Sequence, residues 1–347
     1  MNTSISITLT DPVYHEQKSV NGLSKFFASL LNDSRNVPFV YFMLLVMLTT
    51  IPFAVVLFIP GMFNWWLAIP YFLYNVIFLM GTFILMQHNV AHNALFRRKY
   101  KLLNNIIPWV LAPFFGLTPE TYFAHHIGMH HPENNLPPDL SCTMKSRRDS
   151  FGDFMSYFLR FFFWVIPDLS IYLKRKNRKK ILRRMLTGES AYLVFVIILL
   201  FVNWKAAIVV FLFPMVFTRF MMMTGNWAQH AFIDSEAPEN CYRNSITCIN
   251  SGYNKKCWND GYHIGHHLYP SLHWTEMPEE FLKNIEKYKS EDAIVFRKLD
   301  YFMIWFLLMT KNYTSLSKYY VELNTENPRS KEEVIHLLKK RTKRFNI

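Results

Sequence analysis

Charge is absent where no water-facing surface could do without it. From Asn36 to Phe96 the chain has no Asp, Glu, Lys or Arg, a neutral stretch of 61 residues. That excludes a wholly soluble protein. A crossing takes about 20 apolar residues at about 1.5 Å each for a hydrocarbon core of about 30 Å, so two crossings fit inside the stretch. Cysteine is scarce as well: Cys142, Cys241, Cys248 and Cys257 show no CxxC spacing, which excludes a disulfide framework and leaves thiols that are expected to be reduced and incidental. The N-terminus has no basic start followed by an apolar core, so no cleavable signal is expected and the first span itself must direct insertion. There is no internal repeat and no low-complexity tract.

What is present is apolar: hydrophobic residues make up 51% of the chain and aromatic residues 17%. Residues 39–59, bracketed by Pro38 and Pro60, predict one span, and residues 65–92 a second, joined by the short PGMFNW turn. A second hairpin is predicted from residues 185–202 and 206–230 around the turn NWK, with only Glu189 and Arg219 charged inside it. The two hairpin turns together hold a single basic residue, Lys205, whereas Arg97, Arg98, Lys99, Lys101, Arg147, Arg148 and the run KRKNRKKILRR (residues 174–184) lie between the hairpins. Lys/Arg excess marks the cytoplasmic side, so both termini and the middle segment are expected there. The expected fold is thus all-α and integral to the membrane. It has a cytoplasmic N-terminal arm (1–37), one membrane domain (38–347) with four transmembrane helices in two hairpins, and a cytoplasmic helical cap (93–184 and 231–347).

This topology accounts for most of the net charge of +13 and argues against nucleic acid as a partner. The basic run at 174–184 reads as a stripe on anionic lipid head groups, with a docking face for an acidic electron-transfer protein as the alternative. Residues 102–117, broken by Pro108 and Pro113, are expected to form an interfacial or re-entrant segment, and residues 301–309 are too short to cross. Residues 154–173 are long enough to span but carry Arg160 and Asp168. One more crossing would put the histidines on opposite sides, so this segment is expected in the interface plane, with Arg160 snorkelling. Trp65, Trp66 and Trp204 are expected in an aromatic belt.

Of the 13 histidines, eleven fall into four tight groups: HNVAH, HHIGMHH, NWAQH and HIGHHLYPSLH. His88 and His92, four apart on a helix, project from one face. Counted from Trp65 and from Ala206, the helices reach His88 and His230 after about 35 Å, which sets both just past the hydrocarbon edge at one height. His126, His130 and His131 form an HxxxHH set, and His263, His266 and His267 an HxxHH set. With His88, His92 and His230 they make nine imidazoles, too many for one tetrahedral ion, so two metal ions are expected. HNVAH lacks the glutamate of a zincin HExxH site. Asn226, four before His230, shares its face and could hold a metal-bound water. His125 and His273 exceed the ligand count and are expected behind the ligands or at the surface; Asp260 reads equally as an orienter of an imidazole and as a helix cap. The isolated His15 and His336 are expected to be solvated. Imidazole alone does not choose the metal. A site at the membrane surface meets acyl chains, alkanes, sterols or isoprenoids, however, and attack on their unactivated C–H bonds needs an oxidant made from O₂. That points to iron.

These residues resemble the membrane fatty acid desaturase and hydroxylase superfamily, which includes alkane monooxygenases and carotenoid hydroxylases. HNVAH resembles its first box as HxxxH, HHIGMHH its second as HxxxHH, and HIGHH its third as HxxHH; Asn226 and His230 resemble the asparagine and extra histidine of acyl-CoA desaturases. The resemblance runs from about Phe39 to His273. It implies two non-haem iron ions on a histidine-rich cap, O₂ as oxidant, a separate electron donor (a b-type cytochrome, or a ferredoxin with its reductase), and removal of two hydrogens from a fatty acyl chain. The chain has no HPGG motif, so no fused cytochrome domain is expected, and a third box that opens with His263 instead of glutamine disfavours the front-end class. The three-residue spacer of the second box is nearer to alkane monooxygenases than to the two-residue spacer of many acyl desaturases. Hydroxylation of an acyl, alkane or isoprenoid chain is therefore the alternative reaction. A metal transporter is the remote one, since transport sites usually lie near the bilayer midplane.

Overall fold

The computed structural model describes residues 7–15 and 21–346; residues 1–6 and 16–20 of the expected N-terminal arm lie outside the described residues. The chain divides into two compact units. An apolar unit comprises Tyr14–Gly128 and Tyr172–Phe220, and a polar unit comprises the described residues up to Val13, Met129–Ile171 and Met221–Ile347.

In the apolar unit a short helix α1 (Gly22–Leu30) precedes α2 (Val37–Phe58). Pro38 sits in the first turn of α2, where its missing N–H has no partner to lose, and the helix is apolar on every side. The chain reverses at Gly61 (φ +78°), and the side chain of Asn64 accepts the Leu67 N–H at 3.0 Å to start α3 (Trp65–Leu73). A π-helical turn (Tyr74–Leu79) carries α3 into α4 (Met80–His92), giving one apolar run, Trp65–His92. This helical run has the same bounds as the expected second span.

Residues 98–115 form a 3₁₀ turn (Arg98–Asn105), a π turn (Ile106–Leu111) and a second 3₁₀ turn (Ala112–Phe115), the broken backbone that Pro108 and Pro113 impose. Next come α5 (Thr121–His125), a π turn (His126–His130) and α6 (His131–Glu133). After α7 (Phe151–Arg175), helix α8 (Lys179–Ala207) runs through a π turn (Ile208–Leu212) into α9 (Phe213–Gln229). The second expected turn appears as a single extended residue inside this run, Asn203 (φ −157°, ψ 95°); its amide donates to the Leu57 carbonyl and its Oδ1 accepts the Ala206 N–H.

The core of the apolar unit packs Ala54 and Leu57 of α2 with Ala68 and Tyr71 of α3, Tyr192, Val196 and Ala206 of α8, and Val209, Val210 and Phe211 of the π turn between α8 and α9. Alanines at these contacts let the helices approach closely. Trp65, Trp66 and Trp204 are exposed, as a belt requires.

Among the described residues, four helices are long and apolar enough to cross a membrane: Ser34–Phe58, Trp65–His92, Phe151–Arg175 and Lys179–Gln229. The number equals the expectation but the membership differs. Two expected spans merge across Asn203, and α7 meets the length criterion with 25 residues. Arg160, expected to snorkel alone, pairs with Asp168 at 2.6 Å, so the two charges that set this helix apart in the sequence compensate each other.

The polar unit corrects the all-α expectation. After α10 (Cys241–Asn244), strand β1 (Ile246–Ile249) pairs in parallel with β2 (Ile294–Arg297), Ile246 opposite Ile294. Between them lie α11 (Gly252–Lys256), α12 (His263–Leu268), α13 (Met277–Lys283) and α14 (Ile285–Ser290), and α15 (Tyr301–Met309) comes after β2. All four residues of β1 are buried, as is usual for parallel strands. Ile249, Tyr262, Ile264, Phe281, Tyr288 and Val295 form the core behind α12.

Candidate metal centre

In the apolar unit the end of α4 presents His88 and His92 from one face, ring centroids 5.4 Å apart. His126 packs edge-on to both, at 4.5 and 5.0 Å, and its own ring is held by the stacked ring of Tyr122. The Nε2 atoms of His92 and His126 stand 3.0 Å apart.

In the polar unit, ligand nitrogens of His130, His230, His263 and His267 all lie within 4.8 Å of one another. Nε2 of His263 stands 3.0 Å from that of His267 and 3.2 Å from that of His230. His131 and His266 make another such pair at 3.0 Å. Two imidazole nitrogens each about 2.1 Å from one ion, with about 90–100° between the bonds, stand about 3.0–3.2 Å apart. The pairs therefore have the spacing of neighbouring ligands on a shared ion, and the donor set fits a transition metal.

Protonation agrees with that. Burial pushes His267 well below the ordinary imidazole range, and the neighbouring His263, His131, His130 and His230 push it the same way, so the ring is neutral and keeps a lone pair for a metal. Two of the predicted ligands have their tautomers fixed from behind. His130 donates from Nδ1 to the buried carboxylate of Asp139 at 2.7 Å, and His230 donates from Nδ1 to the backbone carbonyl of Asn244 at 3.0 Å. A carboxylate or carbonyl can only accept, so the proton sits on Nδ1 and Nε2 faces the cluster as a lone pair.

The third box is placed by β1. Asn254 donates to the Cys248 carbonyl at 2.9 Å and accepts from the Gly261 N–H at 3.0 Å, tying the residues before α12 to the strand. A Cβ at Gly261 would lie 2.3 Å from the Asn254 oxygen and 2.5 Å from the Cys248 carbonyl, so only glycine fits. The second box owes its unusual spacer to the π turn at His126–His130. Such a turn closes i to i+5, one residue more than an α turn, so an extra residue between ligands is absorbed locally and the chain beyond it keeps its place.

All nine predicted ligands thus lie in a nitrogen cluster or pair. The remaining candidates are placed otherwise. Asn226 gives its amide to the Ser141 carbonyl (2.9 Å) and the Tyr157 hydroxyl (2.8 Å). Asp260 accepts the Tyr253 hydroxyl at 2.6 Å, and the N-cap of α12 is Tyr262 instead of Asp260. His273 caps the short turn Trp274–Glu276, and His125 belongs to neither cluster. His15 and His336 are exposed as expected. Asp139 and Asn244, which orient two of the predicted ligands, were not foreseen: Asp139 reaches His130 from a turn and Asn244 reaches His230 from the end of the four-residue α10, and neither obeys a periodic pattern.

An apolar helical protein whose imidazoles converge nitrogen to nitrogen is, by class, an integral membrane metal-binding protein. Residues 63–298 match the family model for fatty acid desaturases, more than half of the chain and every histidine cluster, and the chain belongs to that family of membrane oxidoreductases. No curated protein and no solved structure matches it.

Proposed function

We propose that this protein uses O₂ and electrons from a separate donor, a b-type cytochrome or a ferredoxin with its reductase, to desaturate a fatty acyl chain. Two iron ions are assigned to the nine imidazoles, one of them to the four-nitrogen cluster of His130, His230, His263 and His267. Asn226 is assigned to a water on the iron pair. When bound, the irons supply the oxidant for an unactivated C–H bond. The protein's own part is to hold neutral nitrogens in place, keep their protons on Nδ1, and surround the reacting chain with apolar side chains that exclude water. Removing two hydrogens while O₂ goes to two waters consumes two further electrons and two protons, which is why a donor is required.

The observation that carries this reading is the approach of buried and half-buried imidazole Nε2 atoms to 3.0–3.2 Å, a spacing for ligands of a shared ion. Hydroxylation is the second reading, favoured by the three-residue spacer in HHIGMHH. The two reactions share the first hydrogen abstraction and part according to whether a second hydrogen leaves or oxygen is inserted, a matter of how the chain is held.

The membrane arrangement belongs to the same proposal: two hairpins, a cytoplasmic cap, both termini cytoplasmic, in the endoplasmic reticulum or a bacterial plasma membrane. The test is lipid analysis of a host expressing the protein, with metal analysis of the purified chain. New double bonds and two irons per chain are expected, and both His130→Ala and His266→Ala should abolish the activity. New oxygenated lipids without new double bonds would establish the hydroxylase instead, and full activity in both variants would remove the site.

A further inference from the structure

The two ligands oriented from behind are joined by one residue. Asn135 is fully buried and stands in the left-handed region (φ +59°), directly after Asn134, which is also left-handed (φ +49°). Its backbone N–H donates to Asp139 Oδ2 at 3.1 Å, the same oxygen that accepts from His130. Its side-chain amide donates to Asn244 Oδ1 at 3.1 Å, and that oxygen also accepts from His230 Nδ1 at 3.1 Å. The other end of the Asn244 amide donates to the Asn134 carbonyl at 2.7 Å, which fixes which way the amide points. Asn135 Oδ1 accepts the Thr143 N–H at 2.8 Å, and the Thr143 hydroxyl donates to the His230 carbonyl at 2.8 Å.

We propose that Asn135 is a positioning residue that holds His130 and His230 together in their metal-binding tautomer and orientation, so that the four-imidazole site is preformed in the metal-free protein. The proposal rests on the metal-centre reading above. Its logic is complementarity: two acceptors, Asp139 and Asn244, must both face imidazole N–H groups, and Asn135 supplies the donors that keep each facing that way. The left-handed backbone is what lets one residue point its N–H and its side chain at both. Asparagine adopts that conformation more readily than most residues.

Matched variants isolate the side chain. Asn135→Gly keeps the left-handed backbone and the N–H to Asp139 but removes the amide. Asn134→Gly makes the same change at a neighbour whose contribution to Asn244 is a backbone carbonyl and therefore survives. Asn135→Asp is nearly isosteric and keeps the acceptor for Thr143, but turns a carboxylate oxygen toward Asn244 Oδ1 and so favours a flipped Asn244 amide with its NH₂ toward His230. The purified full-length proteins in nanodiscs are loaded with Co(II), followed by its visible ligand-field absorption, and titrated with a chelator; thermal unfolding of each metal-free protein is recorded alongside.

Wild type and Asn134→Gly are expected to hold two Co(II) alike. In Asn135→Gly and Asn135→Asp, one of the two should be released about 10–100-fold more readily, with an altered ligand-field spectrum and little change in apo unfolding temperature. Unchanged release from both Asn135 variants would overturn the proposal. So would equal losses in Asn134→Gly and Asn135→Gly, which would place the effect in the loop backbone. A wild-type protein that binds no Co(II) would sink the metal-centre reading itself, a separate result.

Discussion

At the scale of the residue, Asp139 bears the most weight after the ligands. It is buried, it accepts from His130 on one oxygen, and its other oxygen accepts from the backbone and hydroxyl of Ser141 at 2.8 and 2.7 Å. Asp139→Ala would leave a buried imidazole N–H without its acceptor, at about 1–3 kcal/mol, and free the ring to turn. Metal affinity is expected to fall about 10–100-fold, with Asp139→Asn, which retains an acceptor oxygen, losing less. Chelator competition on the purified variants measures both, and an Asp139→Ala protein that binds metal like wild type would show that packing alone holds the ring. The predicted ligands were legible because a metal constrains sequence spacing on a helix: His88 and His92 must be a turn apart to share a face. Asp139 and Asn244 obey no such constraint. Asp139 meets His130 from a turn and Asn244 meets His230 from the end of the short α10, and only tertiary structure brings them there.

At the scale of the element, tight approach without side chains explains how the second box is anchored in the apolar unit. A Cβ at Gly188 of α8 would lie 2.0 Å from the backbone carbonyl oxygen of Pro119, two residues before α5 begins. The flanking contacts are polar: Glu189 accepts from the Thr118 and Thr121 hydroxyls, and the buried Glu120, left-handed at φ +68°, pairs with Arg184 at 2.8 Å. Gly188→Ala must push α8 from this segment, so a loss of about 1–3 kcal/mol is expected, with weaker metal retention through the displaced His126. Gly225 of α9 has nothing within 4 Å of its missing Cβ, so Gly225→Ala is expected to be neutral or to stabilise by about 0.5–1 kcal/mol. Thermal unfolding in nanodiscs separates the two, and equal effects would refute the close-approach account. The helical run 65–92 and the short helix Tyr301–Met309 were readable because apolar length and flanking breakers mark them. The π turns, the break at Asn203 and the strands β1 and β2 were not. A π turn has no composition of its own, a single extended residue leaves no gap in hydropathy, and four-residue buried strands look like any short apolar run.

At the scale of the whole molecule, α7 decides the topology. It is long and apolar enough to cross, and if it did, the exposed basic residues from Lys174 onward would face away from those at Arg97 to Lys101. The crossings must also keep His130, before α7, and His230, after α9, on one side, because their rings stand 5.6 Å apart within the polar unit. If the chain crosses twice between Lys179 and Gln229, around Asn203, as proposed, that condition holds only if α7 does not cross. The Lys/Arg bias, a property of the sequence, and the ring separation, a distance no sequence contains, thus point the same way. Impermeant maleimide labelling of single cysteines in intact cells tests it, in a background with Cys241, the half-buried one among three buried cysteines, replaced by serine. Gly61→Cys, in the exposed turn between α2 and α3, should label without permeabilisation. Lys101→Cys and Asn177→Cys, which bracket α7 and are both exposed, should label only after it. If Lys101→Cys and Asn177→Cys report opposite sides, α7 crosses the bilayer and the cytoplasmic cap cannot be assembled as proposed. If both label in intact cells while Gly61→Cys is protected, the arrangement stands but is inverted, and the electron donor must be sought on the other face.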